Sequence, residues 1–270
     1  MRKVLDEAKK CYAEEVDDQL IEQMLVIDGC FILELLYVNY HGKPNDGIDP
    51  ILDSILMPIY VRHDLLLLES QLPFFVLNKL FDLTVAHIAG ARQGTLTDYV
   101  IPYFGNMWDS GNNRTTLPLP PPPKNNEYCH ILHILHNHYA KPQEQNPGSL
   151  VMPCASDLDY AGVKFRVGTE VRFQNPEGPF DRAYFEIPKL KLYDSSEPFL
   201  RNLIAFEQCC HGDVIKRYFA SYAVLLDTLI NTHKDVQVLE RAKIIDNYCV
   251  SDFLTTLSTQ YSSGKHWQNR

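Results

Sequence analysis

The sequence predicts a mainly α-helical protein of the α+β kind, with a multi-helix core and a small antiparallel β unit in its second half. Three observations carry that expectation. Residues 18–38 are apolar almost all the way round a helical wheel, the pattern of a helix in the middle of a core. After Gly162 the period shortens to two, with Val163, Phe165, Val167, Val171 and Phe173 alternating with polar residues. Strongly polar side chains also drop into runs otherwise fit only for burial, above all in residues 64–75, where Asp64, Glu69 and Gln71 stand among leucines and phenylalanines.

Residues 4–16 form an amphipathic pattern, and Asp17 or Asp18 supplies the N-cap of the helix over 18–38. The breakers Gly42, Pro44, Asn45, Asp46 and Gly47 separate that helix from the next. Residues 51–57 and 72–83 read as further helices, with Pro58 and Pro73 marking a kink or a first turn. Residues 96–108 and 127–139 follow as helices. Residues 109–126, rich in proline and asparagine, form neither helix nor ladder and read as a surface insertion, and residues 141–153 as a second. The strands end with Phe185, Ile187, Leu190 and Leu192. Helices resume over 198–210, 214–231, 236–242 and 252–260, ahead of a polar tail at 262–270. The whole of 1–261 reads as a single domain.

The chain has 270 residues, 34 acids against 25 bases and a formal net charge of −9, with no dense Lys/Arg cluster. That disfavours nucleic acid as a partner, since phosphate neutralisation needs a basic stripe, and disfavours an anionic membrane surface for the same reason. Asp28, Glu34, Asp64 and Glu69 interrupt the best candidates for a bilayer span, so the polypeptide by itself is expected to be soluble. Seven cysteines include no Cys-x-x-Cys pair, and Cys30, Cys209 and Cys210, set in apolar helical patterns, read as small buried hydrophobes.

Buried acids and amides need partners, because each unsatisfied group costs roughly 1 to 3 kcal/mol. Asp28, Glu34, Asp64, Glu69, Gln71, Arg201, Asn202, Glu207, Asp227, Asn231 and Asp235 therefore read as one structural polar network threading the core, with Arg62, Lys164, Arg166 and Arg201 as available cations. A competing reading makes Asp64, Glu69 and Glu207 the acids of a hydrolase. His130, His133, His136 and His138, beside Cys129, sit at helical spacing that lets neighbours share a metal, but successive steps drift around the axis. A solvated, variable helix is the expected reading there. No nucleophile elbow, P-loop or dinucleotide fingerprint is present, so no catalytic residue, cofactor or metal is assigned.

Several motifs taken together resemble the plant DUF247 family, also called UPF0481. They are Cys11-Tyr12-Ala13-Glu14, the run from Asp28 to Glu34, the run from Asp64 to Phe75, and Ala161-Gly162-Val163-Lys164-Phe165, then Ile187-Pro188, the run from Arg201 to Gln208, and Leu229-Ile230-Asn231-Thr232 with Asp235-Val236. The resemblance implies a plant protein, usually longer, with an N-terminal segment and a hydrophobic C-terminal anchor that this stretch of sequence lacks, so membrane association is expected only through that anchor. It also implies links of some members to self-incompatibility and reproductive recognition, and brings no catalytic residues. The expectation is a non-enzymatic recognition domain, binding protein partners through its irregular segments.

Overall fold

The structure is a computed structural model that describes residues 2–12, 17–43, 48–88, 94–104, 128–140, 152–175, 178, 181–193, 196–210, 215 and 217–247. Both proline-rich insertions lie outside the described residues, save for 152 and 153, as do the helix expected over 252–260 and the polar tail. Among the described residues the chain is mainly α-helical, with ten α-helices and few short strands, all of them in the second half. The chain divides into two compact units: Met1–Met107 with Arg114–Tyr139, and Trp108–Asn113 with Ala140–Arg270.

The first unit is built on α2 (Asp18–His41), which follows the short α1 (Arg2–Lys9). Asp17 accepts hydrogen bonds from the amides of Gln19 at 3.0 Å and Leu20 at 3.2 Å, the side-chain cap that starts a helix before an apolar stretch. Gly42 ends it at φ 89°, in the left-handed region that glycine enters without strain. The expected helix at 51–57 is displaced: turns lead into α3 (Met57–Asp64), with Pro58 in its first turn, where no intrahelical amide bond is lost.

α4 (Phe74–Leu83) and α5 (Leu96–Phe104) pack on α2, and α6 (Ile131–Tyr139) packs on α5. Ile21, Leu25, Ile32 and Leu36 of α2, Leu77 and Leu80 of α4, and Tyr99, Val100 and Phe104 of α5 fill this core. Gly29 marks the α2–α4 crossing, where any β-carbon would come 2.4 Å from Leu80 Cδ1.

The second unit begins with α7 (Ala155–Tyr160), which no apolar period announces. Its end is fixed by Gly162 at φ 93°, with Val163 donating to the Leu158 carbonyl at 3.0 Å. The chain then enters β1 (Lys164–Gly168), β2 (Arg172–Gln174) and β3 (Tyr184–Pro188). The sheet is mixed rather than antiparallel. β3 lies between the other two, parallel to β1 and antiparallel to β2. Alternation in sequence specifies strands and their faces, but it carries no information on which neighbour pairs with which.

β4 (Leu190–Leu192) pairs in parallel with β5 (Ile245–Asn247), a strand too short to be read from the sequence. Between these strands run α8 (Ser196–Cys209), α9 (Tyr218–Leu229) and α10 (His233–Arg241). Phe199, Leu203, Phe219, Leu226, Leu229 and Leu239 form this unit's core. α10 ends as α7 does, with Ile244 donating to the Leu239 carbonyl at 2.9 Å, but Lys243 occupies the left-handed position at φ 59°.

The two endings make opposite predictions. Gly162→Ala places a β-carbon at a strained φ and should lower stability by about 1 kcal/mol, whereas Lys243→Gly relieves strain and should raise it by up to about 1 kcal/mol. Urea unfolding of both variants checks the signs.

Candidate functional site

The deepest polar group of the second unit is Asp235, fully buried in the first turn of α10. Its Oδ2 accepts from the amides of Asn231 at 3.1 Å and Thr232 at 2.8 Å and from the Thr232 hydroxyl at 2.8 Å. Its Oδ1 accepts from the Ser156 amide at 2.8 Å, in the first turn of α7. One carboxylate thus serves two helix starts, where backbone N–H groups lack intrahelical partners and the helix dipole favours negative charge. Burial opposes its charge, yet the bonds from Ser156, Cys154 and Thr232 outweigh it and hold the carboxyl well below the usual carboxylate range.

Glu207, 1% exposed near the end of α8, does the same for α9. Its two oxygens accept from the amides of Phe219 at 2.9 Å and Ala220 at 2.7 Å. Arg217 precedes that helix and supplies no side-chain cap of its own, so α8 caps α9 from outside. Arg201 and Arg166 were among the cations expected to be available to the buried acids. Arg201 instead faces solvent and pairs with Glu197 one turn away, and Arg166 bonds Glu186 at 2.7 Å and Gln174 at 2.8 Å. Aligned amides at a helix start stabilise a buried carboxylate through charge-assisted hydrogen bonds.

In the first unit the corresponding residue is Gln71, half-buried after the 3-10 turn Leu68–Ser70. Its amide nitrogen donates to the carbonyls of Leu65 at 2.8 Å and Leu67 at 3.0 Å, while its oxygen accepts from the Leu132 amide at 3.1 Å in the first turn of α6. The Phe74 amide adds a bond to the Cys129 carbonyl at 2.7 Å. The polar run at 64–75 therefore ties two chain segments together at one helix start.

The histidine helix is a core element, contrary to the solvated helix expected from its flanks: Ile131 to His136 are all buried. Its rings act as internal caps. His133 Nδ1 accepts from the Cys129 amide and His130 Nδ1 from the His133 amide, both at 3.2 Å, so each neutral ring carries its proton on Nε2. Burial, together with the neighbouring histidines, lowers both to about 4. Among the described residues no group of three or more His, Cys, Asp or Glu side chains converges to hold a metal ion.

The other predicted network residues sit elsewhere. Asp28, Glu34, Asp64, Glu69, Arg201 and Asn231 are exposed rather than buried, because each lies on the outward side of a helix, a turn or a helix end. Asn202 is half-buried and donates to the Pro198 carbonyl at 2.8 Å. Asp227 is half-buried, and burial raises its carboxyl. Asp64 and Glu69 belong to the first unit and Glu207 to the second. Cys11, Cys30, Cys129, Cys154, Cys209 and Cys210 are free thiols, and Cys30 and Cys209 are exposed, not buried as their apolar neighbours implied.

Two surfaces of the first unit escaped the sequence reading. α3 buries none of its residues, and Ile55, Leu56, Met57, Ile59 and Tyr60 are exposed along and just before it, Ile55 at 89%. α2, expected to be enclosed on all sides, exposes Leu20, Ile27 and Phe31. The available signal was positional: these residues recur at spacings of seven and four, one face of a helix, opposite Ile21, Leu25 and Ile32. A hollow of about 20 Å³ between α1, α2 and α4, lined by Val4, Leu5, Leu25, Val26, Val76 and Leu80, with Glu22 and Lys79 beside them, has room for about one water.

The profile of one protein family, DUF247, described as plant protein of unknown function, matches residues 1–266. The chain belongs to the DUF247 family. The UPF0481 protein At3g47200 of Arabidopsis thaliana is 26% identical over 283 aligned positions, covering 94% of this chain and 57% of that protein. A second Arabidopsis thaliana UPF0481 protein, At3g02645, is 28% identical over 104 positions, 38% of this chain and 19% of that protein. This DUF247 chain thus spans little more than half the length of the first relative. No solved structure matches it. Among its described residues no helix is long and apolar enough to cross a membrane.

Removing the α9 cap of this DUF247 chain by Glu207→Ala should cost about 3 kcal/mol, since one buried and one part-buried amide lose a charged acceptor. Glu69→Ala, at an exposed site, should change stability by less than about 0.5 kcal/mol. Urea midpoints of the two variants measure the contrast. The histidines set a pH dependence as well. Their folded-state pKa values lie below the unfolded one, so the unfolded chain binds more protons between about 6.5 and 4, and stability falls as pH drops through that window. The Asp235 contribution disappears only at lower pH, below the usual carboxylate value. Asparagine at both 130 and 133 should flatten the upper window while leaving the lower one in place.

Proposed function

We propose that this chain is a non-enzymatic recognition domain of the DUF247 type that works by binding a protein partner. The observation behind this reading is the exposed apolar segment Ile55, Leu56, Met57, Ile59 and Tyr60, just before and along a helix with no fully buried residue. Contiguous apolar side chains in solvent are costly for an isolated molecule and mark surfaces that another protein covers. The chemistry of the buried acids supports the non-enzymatic part. Glu207 and Asp235 direct their oxygens at helix amides, an architectural use, and Asp64 and Glu69 face solvent.

Nucleic acid is left out of the reading by the net charge of −9. Reproductive or self-incompatibility recognition is the setting that the family resemblance implies, with membrane attachment through a C-terminal anchor of the whole protein.

Ile55→Asp combined with Ile59→Asp tests the reading, since both side chains are exposed and the pair should leave the unfolding midpoint nearly unchanged. A partner isolated from plant reproductive tissue with the wild-type chain, then purified and titrated, should bind the double variant at least about tenfold more weakly. Unaltered affinity in this variant and in one altered on α2 would remove the first unit as the recognition surface.

A further inference from the structure

The second exposed surface of the first unit carries its own chemical signature. α2 holds four carboxylates, Asp18, Glu22, Asp28 and Glu34, and neither lysine nor arginine over 24 residues. Leu20 is 60% exposed, Ile27 66% and Phe31 39%, while Ile21, Leu25, Ile32 and Leu36 on the opposite side are buried. From position 20 to position 34 the stripe runs about 20 Å, roughly four turns. Glu34 lies seven residues after Ile27, within the stripe, and Asp28 stands at its edge, near Tyr12, whose phenol is raised by burial first and then by the charges of Cys11 and Asp28. Glu22 projects on another side, beside Lys79 at the apolar hollow, and does not belong to the stripe.

An exposed seam of aliphatic and aromatic side chains bordered by carboxylates, on a helix with no lysine or arginine of its own, selects its occupant. A second copy of the chain would bring more carboxylates to the seam with no cation on either helix. An anionic lipid surface or a nucleic acid meets the same repulsion. The complement is a helix that lays an apolar stripe along α2 and flanks it with lysine or arginine, the pairing that sets partner choice when two helices pack side by side.

We propose that the stripe formed by Leu20, Ile27 and Phe31 with Asp28 and Glu34 is the seat of a basic amphipathic helix from a protein partner. The inference rests on the recognition reading and narrows it to a partner class and a helix face. Ile27 and Phe31 supply the apolar contact, and the two acids set orientation and discriminate against acidic helices.

A display library of amphipathic helices tests this, with a fixed apolar seam and flanking positions varied among Lys, Arg, Asp, Glu, Ser and Gln. It is panned against the full chain, and the selected helices are titrated as synthetic peptides. Lys and Arg should be enriched, affinity should fall with added salt, and Ile27→Asp with Phe31→Asp should weaken binding by about tenfold or more. Glu34→Lys, an exposed single change, should weaken it while the unfolding midpoint holds, which covers the event that the double variant misfolds. Selection without charge preference, selection of acidic helices, or equal binding to Glu34→Lys overturns the inference. So does a dimer in ultracentrifugation that Glu34→Lys strengthens, or equal binding to vesicles of anionic lipid. If the tissue partner is lost on changing Ile55 and Ile59 but not on changing Ile27, Phe31 or Glu34, this inference falls and the recognition reading stands. If none of these changes matters, both fall.

Discussion

The fold depends on how it satisfies the amides that begin its helices. Asp235 is the clearest case: a fully buried carboxylate that accepts hydrogen bonds at the start of its own helix α10 and at the start of α7. Positions 156 and 235 are far apart in the chain, so this one group converts two local helices into a tertiary pair. An amide left bare in that core would cost as much as a lost hydrogen bond, and the charge of the acceptor strengthens each bond made to it. Glu207 at the start of α9 and Gln71 at the start of α6 repeat the device with different side chains. A helix whose own N-cap residue has no useful side chain is thereby capped by a neighbour, and the neighbour's position becomes part of the helix's stability.

The same arrangement explains how two carboxylates are accommodated at buried helix starts. A helix start offers several aligned N–H groups and the positive end of the dipole, and it needs no desolvated lysine or arginine. Cations do pair in this molecule, but at the surface: Lys43 with Asp53, Lys164 with Asp159, and Lys189 with Asp246, all with both side chains partly exposed. Arg62 lies half-buried over the Tyr103 ring at 4.8 Å, and the polar groups buried deepest bond backbone amides. The histidines of α6 conform to that rule, being held neutral and used as acceptors for backbone amides.

Helix existence and type were legible along most of the chain, because apolar spacing reports directly on which side of a helix faces a core. Asp17 as a cap and Gly42 and Gly162 as breaks were equally plain, since a cap or a left-handed turn is a local demand met by a local residue. α7 and β5 were not legible, because a turn or two of helix and a three-residue strand carry too few residues to show a period. Among the polar residues singled out in the sequence, Gln71, Glu207 and Asp235 bond backbone amides at helix starts. Asp28, Glu34, Asp64 and Glu69 looked identical to them in sequence, yet they face outward.

The sequence by itself determined a mainly helical chain with a small β unit, its breaks and its acidic character. Only the tertiary structure decided which acids are buried, what they bond to, how the three strands are ordered, and that apolar residues on α2 and α3 remain in solvent. The physical reason is the range of the interactions. Caps, turns and periodicity act within a few residues, whereas burial and the pairing of a carboxylate with a distant amide depend on which helices meet, a property of the packed chain and of no segment taken alone.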